Sequence, residues 1–549
     1  MSPASPSIAE WLFGPGPAEP GSLLPRWLWL RALGLIFFSA FYSLAFQIRG
    51  LVGPDGILPA GTYLGEVAQQ FGSWRFWYAP TLLWLGSGPG PLKALWIAGL
   101  AASILLILNL WPRAAILVCF LAYLSFVSVG QDFAEYQSDG MLLSAAFLSL
   151  WVAPPGLRPR LGRDHRPARA ALFMLQWLWF RIYFESGVVK IASHDPQWRH
   201  LTALDQYYQN GPLPNWIGWY AAQLPHGFQA AVALATLTLE VGLVWLMFFP
   251  RRFRLVLFFI VTPFQLGIIL TANLAFLNHL VLSLGVLLLD DRFIQRVLGR
   301  VKGWFQPAQQ MGAAAGLGPE APDPAALAAG VAASDEGWSR SRARWLSSRR
   351  RLSIVATGVI LIWIFYATFI ELLTMFAGRL PVPLAPVAAL EPFRIADQYG
   401  LFAVMTTARY EIELQGSNDG QTWVAYPFRY KPQRLDEPPR YFAPYQPRFD
   451  WNLWFASLGT WRQYTWVVRA EVLLLQNDAA VLALLAGNPF ARAAPKEVRA
   501  VEWQYWFTDL KTRRATGAWW RREFRGLYAP VIELAPEGKV NALEWPSAP

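Results

Sequence analysis

Long apolar runs separated by polar loops dominate the first two thirds of this 549-residue chain. A helix of about 20 predominantly apolar residues crosses the ~30 Å hydrocarbon core of a bilayer. Nine segments approach that length and predict nine transmembrane helices: 27–46, 94–110, 114–129, 136–152, 170–191, 228–249, 253–270, 272–289 and 352–369. The fourth is the weakest, because it reaches a crossing length only by including Gln137, Ser138 and Asp139.

Basic residues cluster in four places between these segments. They fill the loops after the fourth, sixth and eighth segments and the stretch before the ninth: Arg158, Arg160, Arg163, Arg166 and Arg169; Arg251, Arg252 and Arg254; Arg292, Arg296, Arg300 and Lys302; Arg349, Arg350 and Arg351. Short loops rich in Lys and Arg remain cytoplasmic. A count of nine puts all four clusters on one side. The pattern therefore predicts a cytoplasmic N terminus and an exoplasmic location for the residues beyond about 372.

The same pattern divides the chain into four parts. Residues 1–300 predict a multi-span membrane domain, and 351–372 predict the last transmembrane helix. The stretch 301–350 is rich in Ala, Gly, Pro and Ser and has few large apolar residues, so it predicts a disordered cytoplasmic linker. Residues 380–549 are enough for one further domain, which we expect on the exoplasmic side.

Alternating apolar residues in this last part predict β-structure. Tyr410, Ile412 and Leu414 alternate with glutamates, which indicates a half-buried strand; 416–420 has turn composition, and 424–430 continues as a return strand. Residues 501–507 predict another strand and 466–486 a helix. The expected fold is thus a polytopic α-helical membrane domain followed by a soluble, β-rich α+β domain.

Composition narrows the classes of partner and chemistry. The net charge is +11, but the arginines lie between apolar runs, where they determine topology, so nucleic acid is not an expected partner and the lipid bilayer is. Cys119 is the only cysteine and excludes an intramolecular disulfide. The chain has no His-Glu-x-x-His, Gly-x-Ser-x-Gly or P-loop motif, which favours a non-enzymatic protein, and we expect no metal and no cofactor.

Charged residues inside the apolar segments are costly and therefore indicate internal pairing or function. Arg181 and Glu185 are four residues apart and share one helix face, which suits an ion pair. Glu240 in the next segment is a second possible partner for Arg181. The three residues either fix helix packing or line a polar cavity.

A second group of polar residues is expected at the exoplasmic ends of the segments. Lys190 ends the fifth segment, Asp139 starts the fourth, Asn273 lies in the turn before the eighth, and Trp198 belongs to the loop after the fifth. All four should face the C-terminal domain. Lys190 either extends its amine to the interface or belongs to a working site.

Ordered motifs in both halves give the chain a family resemblance. They include Ser186-Gly187-x-x-Lys190, Trp198-x-x-Leu201-Thr-Ala-Leu204 and Tyr399-Gly-Leu-Phe402, and the longest is Gln446-Pro-Arg448-x-Asp450-Trp451-x-x-Trp454-Phe455-Ala456. With these motifs the chain resembles the lipase maturation factor family over almost its whole length except the linker. The resemblance implies assistance to the folding or assembly of exported lipases, in the endoplasmic reticulum or, in a bacterium, with the C-terminal domain in the periplasm.

The chain departs from the family pattern at several positions. Ser144 stands where an acidic residue is usual, Ala146 and Ala272 where glycine is usual, and Tyr207 and Tyr445 near positions where histidine is expected. These departures weaken any histidine-dependent activity. The membrane half also resembles, more distantly, that of vitamin K-dependent γ-carboxylases, and Lys190 falls in the region of their catalytic lysine. A membrane-embedded, carboxylase-like enzyme that uses Lys190 is therefore the alternative to a non-enzymatic maturation factor.

The longest motif leaves two interpretations open for its aromatic residues. Trp451, Trp454 and Phe455, with Arg448, form either an exposed surface that holds an apolar, partly folded client protein or part of a domain core. In a core, Asp450 would pair with Arg448 and order the loop. A transporter is not favoured, because the sequence has no inverted repeat or paired broken helices.

Overall fold

A computed structural model describes residues 7–14, 21–305, 336–378 and 380–547. Its N-terminal part is helical: α1 Ile8–Phe13, α2 Leu23–Val52, α3 Ala60–Phe71, α4 Arg75–Tyr78, α5 Pro89–Ile107, α6 Pro112–Val129, α7 Gln137–Val152, α8 Arg169–Ala192, α9 Pro196–Arg199, α10 Ala203–Asn210, α11 Trp216–Ala222, α12 His226–Leu237, α13 Arg251–Thr271, α14 Leu277–Gly285, α15 Asp291–Phe305 and α16 Glu336–Ala377. A π-helical turn and a 3₁₀ turn extend α12 to Phe248.

Six helices of the described part are long and apolar enough to cross a membrane: Leu23–Val52, Pro89–Ile107, Pro112–Val129, His226–Phe248, Arg251–Thr271 and Arg351–Ala377. The predicted count of nine is therefore not confirmed. Three of the predicted segments are not among these six helices, each for a physical reason. Helix α7 has 16 residues, and Leu277–Leu288 is shorter still. Helix α8 is long enough but carries Arg181, Glu185 and Lys190 within its apolar sequence.

The helix bundle has two chemically different ends. At one end, the Arg26 guanidinium at the start of α2 donates to the carbonyls of Val152 and His165, at 3.3 and 2.6 Å. The Leu24 amide beside it donates to Asp291 Oδ1 at 2.7 Å. The arginine-rich loops lie at this end. The opposite ends of α2, α7, α8 and α14 contact the C-terminal domain.

The C-terminal domain is a six-stranded antiparallel sheet with helices on it. The strands are β1 Arg409–Ser417, β2 Val424–Ala425, β3 Glu497–Phe507, β4 Trp520–Leu527, β5 Val531–Leu534 and β6 Val540–Glu544. Their order is β2-β1-β3-β5-β6, with β4 paired to β3. The helices are α17 Ala385–Ala388, α18 Arg448–Ala456, α19 Trp466–Leu475, α20 Ala479–Leu482 and α21 Leu510–Thr516. This sheet-containing domain agrees with the predicted β-rich α+β class.

The strands at 410–414 and 501–507 are confirmed, but three details differ from the prediction. Strand β1 is buried on both faces, since Glu411 and Glu413 pair with Lys431 and Arg522 instead of facing water. The return strand ends after Ala425. The predicted helix 466–486 breaks at Asn477, which adopts a left-handed conformation, and Asp478 then caps α20.

The predicted linker 301–350 falls largely outside the described residues, because 306–335 are not among them. The residues that flank this gap belong to α15 and α16.

One acidic side chain lies inside the C-terminal domain without a cationic partner. Glu471 on α19 is fully buried, and its carboxylate lies beside the backbone of Ala500 with no ion pair in the described part of the chain. Burial raises the pKa of Glu471 well above its ordinary value of 4.5. The folded protein therefore keeps a proton that the unfolded chain releases, and its stability falls as the pH rises above 4.5 toward the folded pKa.

We expect Glu471→Gln to remove this dependence. The wild type should lose about 1.4 kcal/mol of unfolding free energy per pH unit across that interval, because one extra proton is bound in the folded state. The variant should melt at a higher temperature than the wild type at pH 8 and close to it near pH 4.5. Thermal unfolding of the full-length protein in detergent checks this, with the exposed Glu537→Gln as control. Equal pH slopes for wild type and Glu471→Gln would contradict it.

Candidate functional site

A backbone segment of the C-terminal part lies across the ends of the membrane helices. This crossing segment, residues 394–406, lies between α17 and β1 and contains no helix or strand. Side chains of the helical part bind its backbone: Arg181 donates to the carbonyl of Asp397 at 2.6 Å, and Glu185 accepts from the amide of Tyr399 at 2.7 Å. The backbone of this segment has no neighbouring strand or helix to bond to among the described residues. Side chains of the helix bundle therefore supply the hydrogen bonds that buried backbone groups need.

Arg181 and Glu185 form the ion pair that their spacing predicts. Arg181 Nε lies 2.6 Å from Glu185 Oε1, and both side chains are buried. The ring of Tyr399 lies 5.2 Å from the Arg181 guanidinium. Glu240 does not join this pair, because it binds Lys190 instead. The ion pair therefore fixes the orientation of the guanidinium and the carboxylate that bind the backbone of the crossing segment.

Lys190 is buried, not extended to the interface, with 3% of its surface exposed. Its amine lies 2.8 Å from Glu240 Oε2 and donates to the carbonyls of Ser186 and Leu401, at 3.2 and 3.0 Å. The Trp198 ring lies 5.3 Å from the amine. Trp198 itself donates from its indole to the carbonyl of Phe402 at 2.9 Å. Lys190 and Trp198 therefore hold adjacent carbonyls of the crossing segment.

Arg448 at the start of α18 inserts into the helix bundle. Its two terminal nitrogens bind the carboxylate of Asp139 at 2.8 and 2.9 Å, in a bidentate pair whose side chains are 3% and 0% exposed. The same guanidinium donates to the Phe133 carbonyl at 2.6 Å and to the Tyr123 hydroxyl at 3.0 Å. Tyr123 in turn donates to Asp139 at 2.6 Å.

The expected pairing of Arg448 with Asp450 is wrong. Asp450 Oδ1 accepts the amides of Tyr430 and Lys431 at 3.0 and 3.1 Å, so it orders a loop of its own domain. Burial raises the pKa of Asp450 to about 6, against the lowering effect of these two amides. The two residues are neighbours in sequence on one helix, but their side chains serve different parts of the junction.

Asn273 fastens a second segment of the C-terminal part. Its Oδ1 accepts the amides of Phe442 and Ala443 at 3.0 and 3.2 Å, and its Nδ2 donates to the carbonyl of Arg440 at 2.7 Å. Asn273 precedes α14, at the bundle end that carries Lys190 and Asp139. The four residues predicted at the exoplasmic ends of the segments therefore all contact the C-terminal part, as expected: Lys190, Asp139, Asn273 and Trp198.

The aromatic residues of the long motif are mostly buried. Trp451 and Trp454 are each 7% exposed, so they do not form an open surface for a client protein. Together with Phe455 they line a cavity of about 410 Å³ between α18, the crossing segment and the starts of α7 and α14. The Tyr136 ring meets Trp451 and Phe455 at centroid distances of 5.8 and 5.9 Å.

Several residues of this junction were missed in the sequence. Gln47 on α2 donates to the Gln446 carbonyl at 2.9 Å, and Asn210 donates to the Thr406 carbonyl at 2.9 Å. Asp397 lies against α7, where its carboxylate leaves no space for a side chain at Gly140. Burial raises the pKa of Asp397 to about 6. A polar residue inside an apolar run was a usable signal for Gln47; Asn210 and Asp397 offered none beyond their residue type.

Comparisons with known proteins follow the same division into two parts. The family model "Lipase maturation factor transmembrane domain" matches residues 24–296, and "Lipase maturation factor C-terminal domain" matches residues 395–530. Lipase maturation factor 2 of Homo sapiens is 33% identical, over 94% of this chain and 83% of the relative. No solved structure matches this chain.

Lipase maturation factor 1 is similar to this chain over an even larger share of its own length. The protein of Bos taurus is 30% identical over 95% of this chain and 91% of the relative. The protein of Mus musculus is 30% identical over 99% of this chain and 94% of the relative. These matches cover both the helical part and the C-terminal sheet, and with the apolar helices they confirm the resemblance: this chain is an integral membrane protein of the lipase maturation factor family.

Proposed function

We propose that this chain is a membrane maturation factor that assists the folding or assembly of exported lipases without catalysing a reaction. Its relatives are named lipase maturation factors, which supports lipases as the clients. One structural observation supports the non-enzymatic part: the charged residues that sequence reasoning offered for chemistry all hold the C-terminal domain against the bundle. Lys190, Arg181, Glu185 and Asp139 are each bonded to partners within the junction.

Lys190 is the residue on which the alternative, a carboxylase-like enzyme, depends. A lysine acts as a general base only when its amine is free to reach and accept a substrate proton. Here the amine contacts three acceptors and an indole ring, and it does not line the cavity beside α18. This arrangement supports a structural role: Lys190 joins α8, the π-helical turn at Glu240 and the crossing segment.

We also propose that the chain is divided as predicted, into a membrane domain (1–300), a linker (301–350), a last transmembrane helix (351–372) and a C-terminal domain (380–549). We further propose how these parts are oriented in the membrane. The arginine-rich loops and the C-terminal domain occupy opposite ends of the bundle, so basic loops in the cytoplasm put the domain on the exoplasmic side. With α7, α8 and Leu277–Leu288 added to the six long helices, nine segments cross. The polar residues of the three additional helices then face protein instead of lipid.

A reporter at each end checks this topology. A tag after residue 547 should be accessible only from the exoplasmic side, the periplasm in a bacterium or the lumen in a eukaryote, because the domain binds the bundle end opposite the arginines. A tag in the loop 157–163 should be accessible only from the cytoplasm. Protease protection in sealed and opened membranes measures both. Cleavage of the C-terminal tag from the cytosolic side would overturn the orientation.

Lys190 variants test the proposed function in cells that lack this gene. We expect deletion to lower secreted lipase activity per unit of lipase antigen, and Lys190→Arg to restore it to within about twofold of wild type. A guanidinium still binds Glu240 and Leu401 but cannot replace an amine base. Lys190→Ala should lose activity only in proportion to its own membrane abundance. Removing one partner of a buried ion pair costs about 3–5 kcal/mol.

Two further variants make this test decisive. Lys190→Gln with Glu240→Gln removes the amine and its counter-charge together, so activity per molecule should persist. Lys511→Ala is the matched control on an exposed helix. If Lys190→Arg and the double variant are both abundant yet inactive, the amine itself is required and the non-enzymatic proposal is wrong. If deletion changes neither lipase activity nor antigen, lipases are not its clients.

The Arg448–Asp139 pair should contribute far more stability than an exposed pair of equal length. In thermal unfolding of the full-length protein, Arg448→Met or Asp139→Asn should each cost about 3–5 kcal/mol, because each leaves a buried charge or polar group without its partner. The double variant should cost less than the sum. Arg434→Met with Asp436→Asn is the control: that pair is also 2.8 Å but exposed, and should change stability by less than about 1 kcal/mol. Additive effects at Arg448 and Asp139 would refute a coupled pair.

A further inference from the structure

The cavity beside α18 exists only because the two parts of the chain are joined. Its walls come from the start of α7, from α10, from the start of α14, from the crossing segment and from α18. Its volume of about 410 Å³ lies within the roughly 300–1,000 Å³ of small-molecule sites. This space fits one lipid-sized or smaller group and excludes a folded protein.

The walls combine apolar surface with unused hydrogen-bond donors. Tyr136, Trp451, Trp454, Phe455 and Phe402 supply rings, and Leu274 and Leu277 supply aliphatic surface. The indole nitrogens of Trp451 and Trp454 and the hydroxyl of Tyr136 have no partner among the described residues, and they are closed to solvent, so a bound group meets them only after these side chains turn toward the cavity. An indole N–H donates only. Leaving such a group unpaired is costly, so a ligand that brings acceptors is favoured.

The charges and backbone around the cavity narrow the ligand class. Among the described lining residues, Glu135 is the only charged one, so nothing here would neutralise a phosphate or free carboxylate. The carbonyls of Leu401, Phe402 and Thr406 are already bound by Lys190, Trp198 and Asn210. A peptide would bring backbone N–H groups, for which these three carbonyls are no longer free. An ester brings acceptors and no donors.

We infer that this cavity binds an ester-linked acyl chain of a lipid, with its carbonyl oxygen directed to the indole N–H groups of Trp451 and Trp454. The chain enters past Leu458 and Val404, which line the cavity and remain exposed. The ester belongs either to an acylglycerol or to a phospholipid whose headgroup stays outside. This inference does not depend on the proposed role with lipases, because lipid binding can be measured on the purified protein alone.

Photo-crosslinking of the full-length protein tests the site. The probes are a monoacylglycerol and a phosphatidylcholine that each carry a diazirine in the acyl chain, the second incorporated in nanodiscs. We expect at least one to label peptides that contain 400–406 or 451–458, and which of them does so identifies the source. Leu458→Trp should reduce this labelling at least fivefold by filling the mouth. Leu543→Trp, on the exposed strand β6, should not.

Conservative variants test the role of the indole donors. Trp451→Phe and Trp454→Phe keep the rings and should weaken binding of the ester probe by about two- to tenfold, as expected for one lost hydrogen bond. Binding of an alkyl probe without an ester should not change. The variants must unfold at the wild-type temperature to be used.

Three results would overturn the inference. One is labelling confined to the lipid-facing helices in every variant. Another is equal loss of ester and alkyl probes in the Trp→Phe variants. The third is displacement of the probe by an apolar peptide but not by unlabelled monoacylglycerol, which would assign the cavity to a segment of a client protein.

Discussion

The bidentate contact between Arg448 and Asp139 joins the two parts of this protein where water is excluded. A buried charge is tolerated only if it is paired and its remaining donors and acceptors are satisfied. Here Tyr123 and the Phe133 carbonyl bind the terminal nitrogens of Arg448, and Tyr123 also binds the carboxylate, while the Arg448 Nε has no partner among the described residues. Each partner therefore requires the other: if α18 left, Arg448 would leave with it, and the Asp139 carboxylate at the start of α7 would stay uncompensated in the apolar bundle.

The rest of the junction follows the same constraint. The crossing segment has few backbone partners of its own, so the carbonyls of Asp397, Leu401 and Phe402 are bound by Arg181, Lys190 and Trp198. Two cationic side chains and one indole N–H at one end of the bundle thus supply the hydrogen bonds that a neighbouring strand would otherwise supply. The charges inside α8, which prevent it from resembling an ordinary lipid-facing helix, are the groups that the C-terminal part needs.

Whether a contact of the junction could be predicted depends on how far apart its two residues lie in the sequence. The pair Arg181–Glu185 followed from i,i+4 spacing, and the strands at 410–414 and 501–507 followed from alternation. The partners of Arg448 and Glu240 did not, because Asp139 and Lys190 are 309 and 50 residues away and no local pattern records them. Apolar run length also predicted nine spans without distinguishing the lipid-facing helices from α7, α8 and Leu277–Leu288.

The aromatic motif illustrates a different failure of sequence reasoning. Spacing alone left Trp451, Trp454 and Phe455 either exposed or packed in a core, and the structure buries the two tryptophans with Phe455 packed against the core, although all three also line a cavity. A close-packed interior leaves few voids larger than a water molecule and few unpaired donors. This junction has a half-open cavity of about 410 Å³, lined by two tryptophans whose buried indole N–H groups are unpaired. Because the walls come from both parts of the chain, a bound apolar group would contact the helix bundle and the C-terminal domain at once.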